Sequence, residues 1–304
     1  MAAIMRNTDF RYVTEPLLND AFDGIYEQRK DEWKAFLRPR EGEKRQYHEE
    51  ATMFGLGTAP ELPDGQPVVY RGGGILFNTR YIYLVYGLAY ALTKTLMEDG
   101  AHISIGRIYA EHLAQGLIET KETVAANILN RATNASYPIG DGLPLASASH
   151  IIFGGTASNL LTTAAALSQT SLEQMLIQIH NMVDNDGKRI TLTGKELLVN
   201  PSNMFQGEVI LKSVLAPGNS NNALNPINSL GMLSDGVKVI TRQTSTTQWG
   251  VRTAVPRGMT MMMRREVQRS MEGDFDTDTM RYKATTRYAV GTTDWRDYFM
   301  SAGA

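Results

Sequence analysis

The chain has 304 residues, of which 42% are hydrophobic, and its 30 basic residues nearly balance 32 acidic ones. This length allows two domains, or one domain with large excursions. The near-neutral balance argues against a dedicated DNA-binding protein, which normally carries a basic excess. The absence of cysteine excludes disulfides and thiolate metal sites. Because the N-terminus lacks the order of a secretory signal and no apolar run is long enough for a membrane span, we expect a soluble cytoplasmic protein.

The first predicted element is a helix over residues 14–37. Its apolar residues recur at roughly helical spacing, and Pro16 suits a first turn. Pro39 ends this helix, because the residue before a proline avoids the α region. Dense mixed charges over 29–50 indicate a solvated or inter-subunit face.

Residues 52–74 contain glycines and prolines too closely spaced for a helix, with apolar residues between them. An extended hairpin that projects from the body satisfies both features. Exposed apolar residues on a protruding arm usually mark a partner surface. An ordinary hairpin folded back on its own core is the alternative.

The middle of the chain mixes strands and helices. A strand is predicted over 84–92, and a short helix follows over 93–100. The longest regular element is a helix over 104–133, whose apolar residues mark one face. Such a helix would run about 45 Å and suits a spine with a sheet packed along it.

The second half continues the mixed pattern. A helix is predicted to begin at Ser171, with Ser171 and Gln174 as a capping box. Asn200 and Pro201 cap and start a third helix that ends near Lys212. Strands are predicted over 237–241, 247–253, 259–264 and 281–289. The methionine-rich run 259–263 fits a buried strand at a multi-partner junction, because methionine adapts to irregular packing. The predicted fold class is α+β.

No linear motif for catalysis or metal binding is present. The five histidines are scattered, and none has the spacing of a zinc site. Ser149 adjoins His150, but the nucleophile elbow is missing, so a turn with backbone-capping hydroxyls is the simpler interpretation.

Asp274, Asp276 and Asp278 alternate and would share one face of a strand. They lack the glycine and the terminal glutamate of the helical calcium loop. An acidic rim that faces arginines of a neighbouring chain is therefore preferred over a calcium site. We expect no catalytic residue, no cofactor and no metal.

Five stretches, taken in order, resemble tailed-bacteriophage major capsid proteins of the Hong Kong 97-type fold, closest to the Mu-like major head subunit. They are the arm at 53–74, the helix over 104–133 with the segment 140–150, the strand and helix at 197–213, the Asn-rich loop 219–228, and residues 282–296. The resemblance spans about 53–299, and the N-terminal segment matches least. The chain begins at a plausible start methionine, so we see no sign of a removed scaffolding region.

The resemblance implies a division of the chain. It assigns 1–49 to an N-terminal arm, 50–80 to an extended β-hairpin loop, 81–150 to a peripheral domain with the spine helix, 151–265 to an axial domain, and 266–304 to a strand returning to the peripheral domain and the C-terminus. It also implies a non-enzymatic subunit that assembles as hexamers and pentamers into an icosahedral or prolate shell around double-stranded DNA, contacted non-specifically. Assembly would occur in the host cytoplasm, with portal and scaffold or decoration proteins as further partners and no membrane.

In such a shell, the apolar residues Phe54, Leu56 and Leu62 would dock on an adjacent subunit. Arg38, Arg40 and Arg71 would face carboxylates across the interface, such as Asp274, Asp276 and Asp278. Two alternatives remain: an encapsulin-like nanocompartment that holds enzymes, and a hydrolase whose site is assembled in space from Ser149, His150 and the late aspartates.

Overall fold

The computed structural model describes residues 7–93, 95–96, 102–216, 223–274, 277 and 279–303. Its α-helices are α1 (Asn7–Gln28), α2 (His102–Asn130), α3 (Gln169–His180), α4 (Met204–Lys212) and α5 (Pro226–Ser229). Short 3-10 turns lie at Glu32–Ala35, Pro201–Asn203 and Trp295–Asp297. None of the described helices combines the length and apolar character that a bilayer crossing requires.

Strands make up the rest of the regular structure, which confirms the α+β class. They are β1 (Arg38–Glu41), β2 (Tyr47–Phe54), β3 (Gly74–Ile82), β4 (Leu84–Thr93), β5 (His150–Ile152), β6 (Gly155–Ala157), β7 (Gly194–Val199), β8 (Val237–Val239), β9 (Trp249–Thr253), β10 (Met259–Asp274), β11 (Thr279–Thr292) and β12 (Tyr298–Ser301). One sheet has the order β1-β10-β11-β4 and a second has the order β12-β9-β7-β8. The pairs β2–β3 and β5–β6 form separate antiparallel hairpins.

The first sheet is built on β10 and β11, which pair antiparallel, while β1 joins β10 in parallel. Both long strands exceed their predicted lengths of 259–264 and 281–289. In the extension of β10 beyond residue 264, the exposed Glu266 and Gln268 alternate with the half-buried Val267 and Arg269. The polar residues of this alternation hid the extension from a search for apolar runs. The methionine-rich run begins β10, and Met259, Met261 and Met262 are buried, as predicted.

Helix α2 packs against β4 and β11 of this sheet, and α1 packs along α2. The core between them contains Leu18, Phe22, Ala110, Leu113, Leu117, Met271, Met280 and Tyr282. With 29 residues, α2 is about 43 Å long. The predicted long helix is therefore confirmed, although it ends three residues earlier, where Ala132 N–H bonds the Leu129 carbonyl in a turn.

The second sheet has a core on each face. Leu197 and Val199 of β7 pack with α3 and α4 on one side. Leu198, between them, points to the other side and packs with Leu129 of α2 and Tyr298 of β12. Because successive side chains of β7 point to opposite faces of the sheet, this one strand packs against α3 and α4 on one face and against the end of α2 on the other.

Two further helices have boundaries that differ from the prediction. The helix expected over 14–37 ends at Gln28, and a 3-10 turn follows, whose Glu32 and Trp33 N–H groups each donate to the Glu122 carboxylate at 2.9 Å. Pro16 accordingly lies inside α1 instead of in its first turn. The turn depends on a carboxylate 90 residues away, which local periodicity does not reveal.

The second difference concerns α3, whose N-cap lies three residues before the predicted Ser171. Ser168 is its N-cap, and Ser171 completes the box from the N3 position, with the reciprocal bonds at 3.2 and 3.0 Å. The predicted cap at Asn200 is confirmed, because its side chain accepts from Ser202 N–H at 2.9 Å. Most of the helix predicted over 93–100 lies outside the described residues.

Candidate functional site

The connection between β2 and β3, residues 55–73, is the most exposed apolar segment of the described chain; we call it the arm. Its exposed large apolar residues are Leu56, Leu62, Val68, Val69 and Tyr70, and Tyr70 is 96% exposed. Among the described residues, the one hydrogen bond between two backbone groups in the arm joins Gln66 N–H to the Pro63 carbonyl. The arm therefore leaves apolar side chains and most of its backbone groups without cover from the described part of the chain.

The base of the arm, in contrast, is attached to the body. Phe54 stacks on Phe153 with ring centroids 4.5 Å apart. Asn185 donates its amide to the Met53 carbonyl at 2.9 Å, and Gly55 N–H donates to the Asp186 carboxylate. Of the three residues predicted to dock on a neighbour, Leu56 and Leu62 thus lie on the exposed arm, whereas Phe54 already has an aromatic partner in its own chain.

A largely buried carboxylate anchors the strand that leads to the arm. Glu50 of β2 accepts hydrogen bonds from Thr293, from Arg40 and from His48. Burial by itself would raise the pKa of Glu50, but these three hydrogen bonds outweigh it and lower the pKa to about 2. Tyr81 of β3 reaches the same Thr293 hydroxyl at 2.5 Å. Both strands of the hairpin are therefore tied to the segment that follows β11.

Arg38 of β1 makes a second connection to the segment that follows β11. Its guanidinium donates to Asp297 Oδ1 at 3.3 Å, to the Thr253 carbonyl at 3.4 Å and to the Val255 carbonyl. Asp297 is fully buried and also accepts Met259 N–H at 2.8 Å. Burial raises the pKa of Asp297 to about 6, and Arg38 offsets part of that rise.

The predicted charge pairs across an interface thus have different surroundings in the structure. Arg38 and Arg40 are each paired with a carboxylate of their own chain. Arg71 is exposed on the arm. Asp274 pairs with Arg281 and accepts from Thr277 at 2.8 Å. Asp276 and Asp278 lie outside the described residues. Sequence reasoning missed Glu50 and Asp297, because nothing local distinguishes them from surface carboxylates.

An open groove of about 1020 Å³ lies between the hairpin base, the 255–258 turn and the 293–296 segment. Arginines 38, 40, 257 and 296 line it together with Glu50 and Asp294. The groove holds opposite charges side by side, and within the described residues no cluster of three or more metal-ligating side chains occurs. The groove therefore presents side chains of both charges beside apolar ones.

His150 is a buried polar residue with a partner on each ring nitrogen. It is fully buried, with Nδ1 2.6 Å from Asp141 Oδ2 and Nε2 3.1 Å from Asn159 Oδ1, and its ring stacks on Trp295 at 4.4 Å. Both ring nitrogens are thus bonded to groups other than hydroxyls, and Ser149 bonds Ser147 instead. The hydrolase arrangement considered for Ser149 and His150 requires a serine on the imidazole, and this geometry does not provide one.

Comparison with known proteins shows which family and which solved structures this chain resembles. A family model described as phage capsid protein matches residues 84–299. A chain of Mycobacterium phage Patience has a similar fold, with a TM-score of 0.56 and 10% identity over 99% of this chain and 89% of that one. The capsid of an empty GTA particle matches with a TM-score of 0.54 and 10% identity over 91% of each chain. The capsid of cyanophage P-SCSP1u matches with a TM-score of 0.52 and 11% identity over 90% of this chain and 88% of that one. At these identities the likeness establishes the fold. No curated protein matches the sequence.

Proposed function

The chain belongs to the phage capsid protein family and is a subunit of a phage capsid shell, and from that premise we propose that its copies assemble as hexamers and pentamers around double-stranded DNA. The observation that carries this proposal is the arm. A monomeric protein rarely leaves a contiguous apolar segment of this kind in water. Arms that lie across neighbours supply many weak contacts at high effective concentration, which a shell with varied contact angles needs.

We assign the inter-subunit contacts chiefly to the arm. Leu56, Leu62 and Tyr70 are proposed to dock on an adjacent subunit, and Arg71 is proposed to face its acidic groups, including the 274–278 rim. Arg38 and Arg40 are proposed to act inside the subunit, where they hold the base of the arm through Asp297 and Glu50. Their role would be to fix the direction in which the arm leaves the body.

The contents and partners of the shell are part of the same proposal. A net charge of −2 supports an inner wall that does not retain DNA, because strong phosphate binding would oppose its release. Portal and scaffold or decoration proteins are proposed as further partners, and host cytoplasm as the place of assembly. A non-enzymatic role is supported by the imidazole of His150, which bonds Asp141 and Asn159. The family match favours a phage shell over an encapsulin-like nanocompartment.

Electron microscopy of the purified protein, followed by analysis of nuclease-resistant contents, tests the proposal. We expect closed particles of uniform diameter, and protected DNA when they are isolated from infected or induced cells. Particles that enclose a protein cargo would favour the nanocompartment, and a monodisperse monomer would contradict both.

The arm is tested by Arg71→Glu, with Arg107→Glu as the matched control, because Arg107 is exposed on α2 away from the arm. The Arg71 variant should give particles that dissociate at lower salt than those of the control. Equal salt resistance would contradict the assignment of Arg71 to an interface.

A further inference from the structure

An apolar groove of about 410 Å³ lies between α3 and α5. Its walls include Leu176, Ile177 and His180 of α3, and Pro226, Leu230 and Met232 at α5. Ile177 is 61% exposed and Leu230 is 68% exposed. The groove therefore presents apolar walls to solvent, and no residue of the described ranges fills it.

A matching convex surface lies on α4. Phe205 is 75% exposed and Val209 is 52% exposed, and residues four apart lie on the same face of a helix. We call these two residues the ridge. The opposite face of α4 packs on the second sheet, where Gly207 approaches Leu197 and Val237. The ridge is thus free of the core, although a phenylalanine would normally be buried.

The ridge and the groove are formed by different elements. Phe205 and Val209 lie on α4, whereas α3 and α5 line the groove. At the C-terminal end of α4, the Asn228 amide of α5 donates to the Lys212 carbonyl at 2.8 Å. Just before its N-terminal end, Asn203 donates to the Thr246 carbonyl at 3.0 Å, and this is the end that carries Phe205. A subunit therefore offers two different complementary surfaces, which is the requirement for a head-to-tail contact that closes into a ring.

We propose that the ridge of one copy docks into the α3–α5 groove of the next copy of this chain. This rests on the proposed function, because rings of identical subunits need such a heterologous contact. The mode is that of a helix whose residues at i and i+4 enter an apolar groove. Lys212, whose side chain is 76% exposed, follows Val209 on α4. Lys212 pairs with Glu208 of its own helix at 2.8 Å. Because an ammonium has three donors, Lys212 can in addition approach Glu173, which lines the groove of the next copy.

The chain contains no cysteine, so a disulfide between introduced cysteines reports this contact alone. Copies with Ile177→Cys and copies with Val209→Cys are co-expressed, and the particles are oxidised. Covalent dimers should form in the mixture, and much less in particles of either variant alone. The double variant should give a ladder of higher multimers. Gln206→Cys is the control partner for Ile177→Cys, since it is exposed on α4 outside the ridge, and it should cross-link severalfold less.

A second variant tests the energetic role of the ridge. Phe205→Asp should abolish particles yet leave the thermal unfolding of the subunit unchanged, whereas Gln206→Asp should assemble. Closed particles without mixed dimers would overturn this inference and leave the proposed function intact, as would normal assembly of the Phe205 variant. If the wild-type chain forms no closed particles, the proposed function fails and this inference fails with it.

Discussion

Removal of the Arg38 guanidinium distinguishes an intrasubunit role from an interface role. Asp297 is fully buried and Arg38 is its cationic partner at 3.3 Å. Removing one member of a buried pair leaves an uncompensated charge, which costs about 3–5 kcal/mol. The side chain of Arg38 is 28% exposed, so solvent screens part of the interaction. We therefore expect Arg38→Gln to lower the free energy of unfolding of the unassembled subunit by about 2–3 kcal/mol at neutral pH.

The pH dependence follows from the raised pKa of Asp297, about 6 when folded against about 3.9 when unfolded. The folded state binds this proton more tightly, so the stability that the proton contributes is complete below about pH 4 and is lost as the pH rises through about 6. Protonated Asp297 needs no cation. The cost of Arg38→Gln should therefore shrink between pH 7.5 and pH 5.

Urea unfolding of unassembled subunits, followed by tryptophan fluorescence, measures both effects. The double variant Arg38→Gln/Asp297→Asn should recover about 1–2 kcal/mol relative to the sum of the single variants. An Arg38→Gln subunit with unchanged stability at every pH, combined with defective assembly, would refute the intrasubunit pairing. Arg38 would then be assigned to the subunit interface, as the sequence analysis predicted.

Three further predictions concern the subunit itself. Gly258→Ala should cost about 1–3 kcal/mol by thermal denaturation, because an added Cβ would lie 2.0 Å from the Asp297 carboxylate. Glu50 has its pKa lowered from 4.5 to about 2, so its stabilisation is present above pH 4.5 and is lost as the pH falls toward 2. Glu50→Gln should accordingly flatten acid unfolding in that window. His150→Ala should cost about 1–3 kcal/mol because it removes the partner of the buried Asp141 Oδ2, and Ser149→Ala should cost less than about 0.5 kcal/mol.

Each of these three predictions has a control variant or a result that would contradict it. Gly155→Ala, where an added Cβ meets nothing within 4 Å, should be tolerated far better than Gly258→Ala. Equal acid sensitivity of Glu50→Gln and the wild type would remove Glu50 from the anchoring role. Equal stability losses at positions 149 and 150 would contradict the distinction between them, and a hydrolase activity lost in both variants would contradict the structural role of the chain.

Features encoded by neighbouring residues could be predicted from the sequence. The long helix α2, the cap at Asn200 and the buried methionine strand each depend on local periodicity or on a side chain two residues from its partner. The order of several weakly specific pieces indicated the phage capsid family, which the family match to residues 84–299 confirms. The Mu-like subtype stays a prediction.

The contacts that organise the candidate site could not be predicted in this way. Arg38 and Asp297 are 259 positions apart, and Glu50 and Thr293 are 243 apart. Their pairing exists only because β1 lies parallel to β10 and the chain returns through β11. The charges were recognised, but a partner in the same chain and a partner in a neighbour have the same local sequence pattern. The Asp141–His150 pair was missed for a related reason. It is significant because both side chains are buried, and the sequence does not state which residues are buried.

Hydrogen exchange of the arm, measured in particles and in unassembled subunits, tests the central claim most directly. The account predicts fast exchange over residues 56–73 in subunits, where the described chain gives the arm little backbone bonding. It predicts strong protection over the same residues after assembly, with little change in β10 and β11. Equal exchange of the arm in both states would contradict the claim that neighbouring copies cover it.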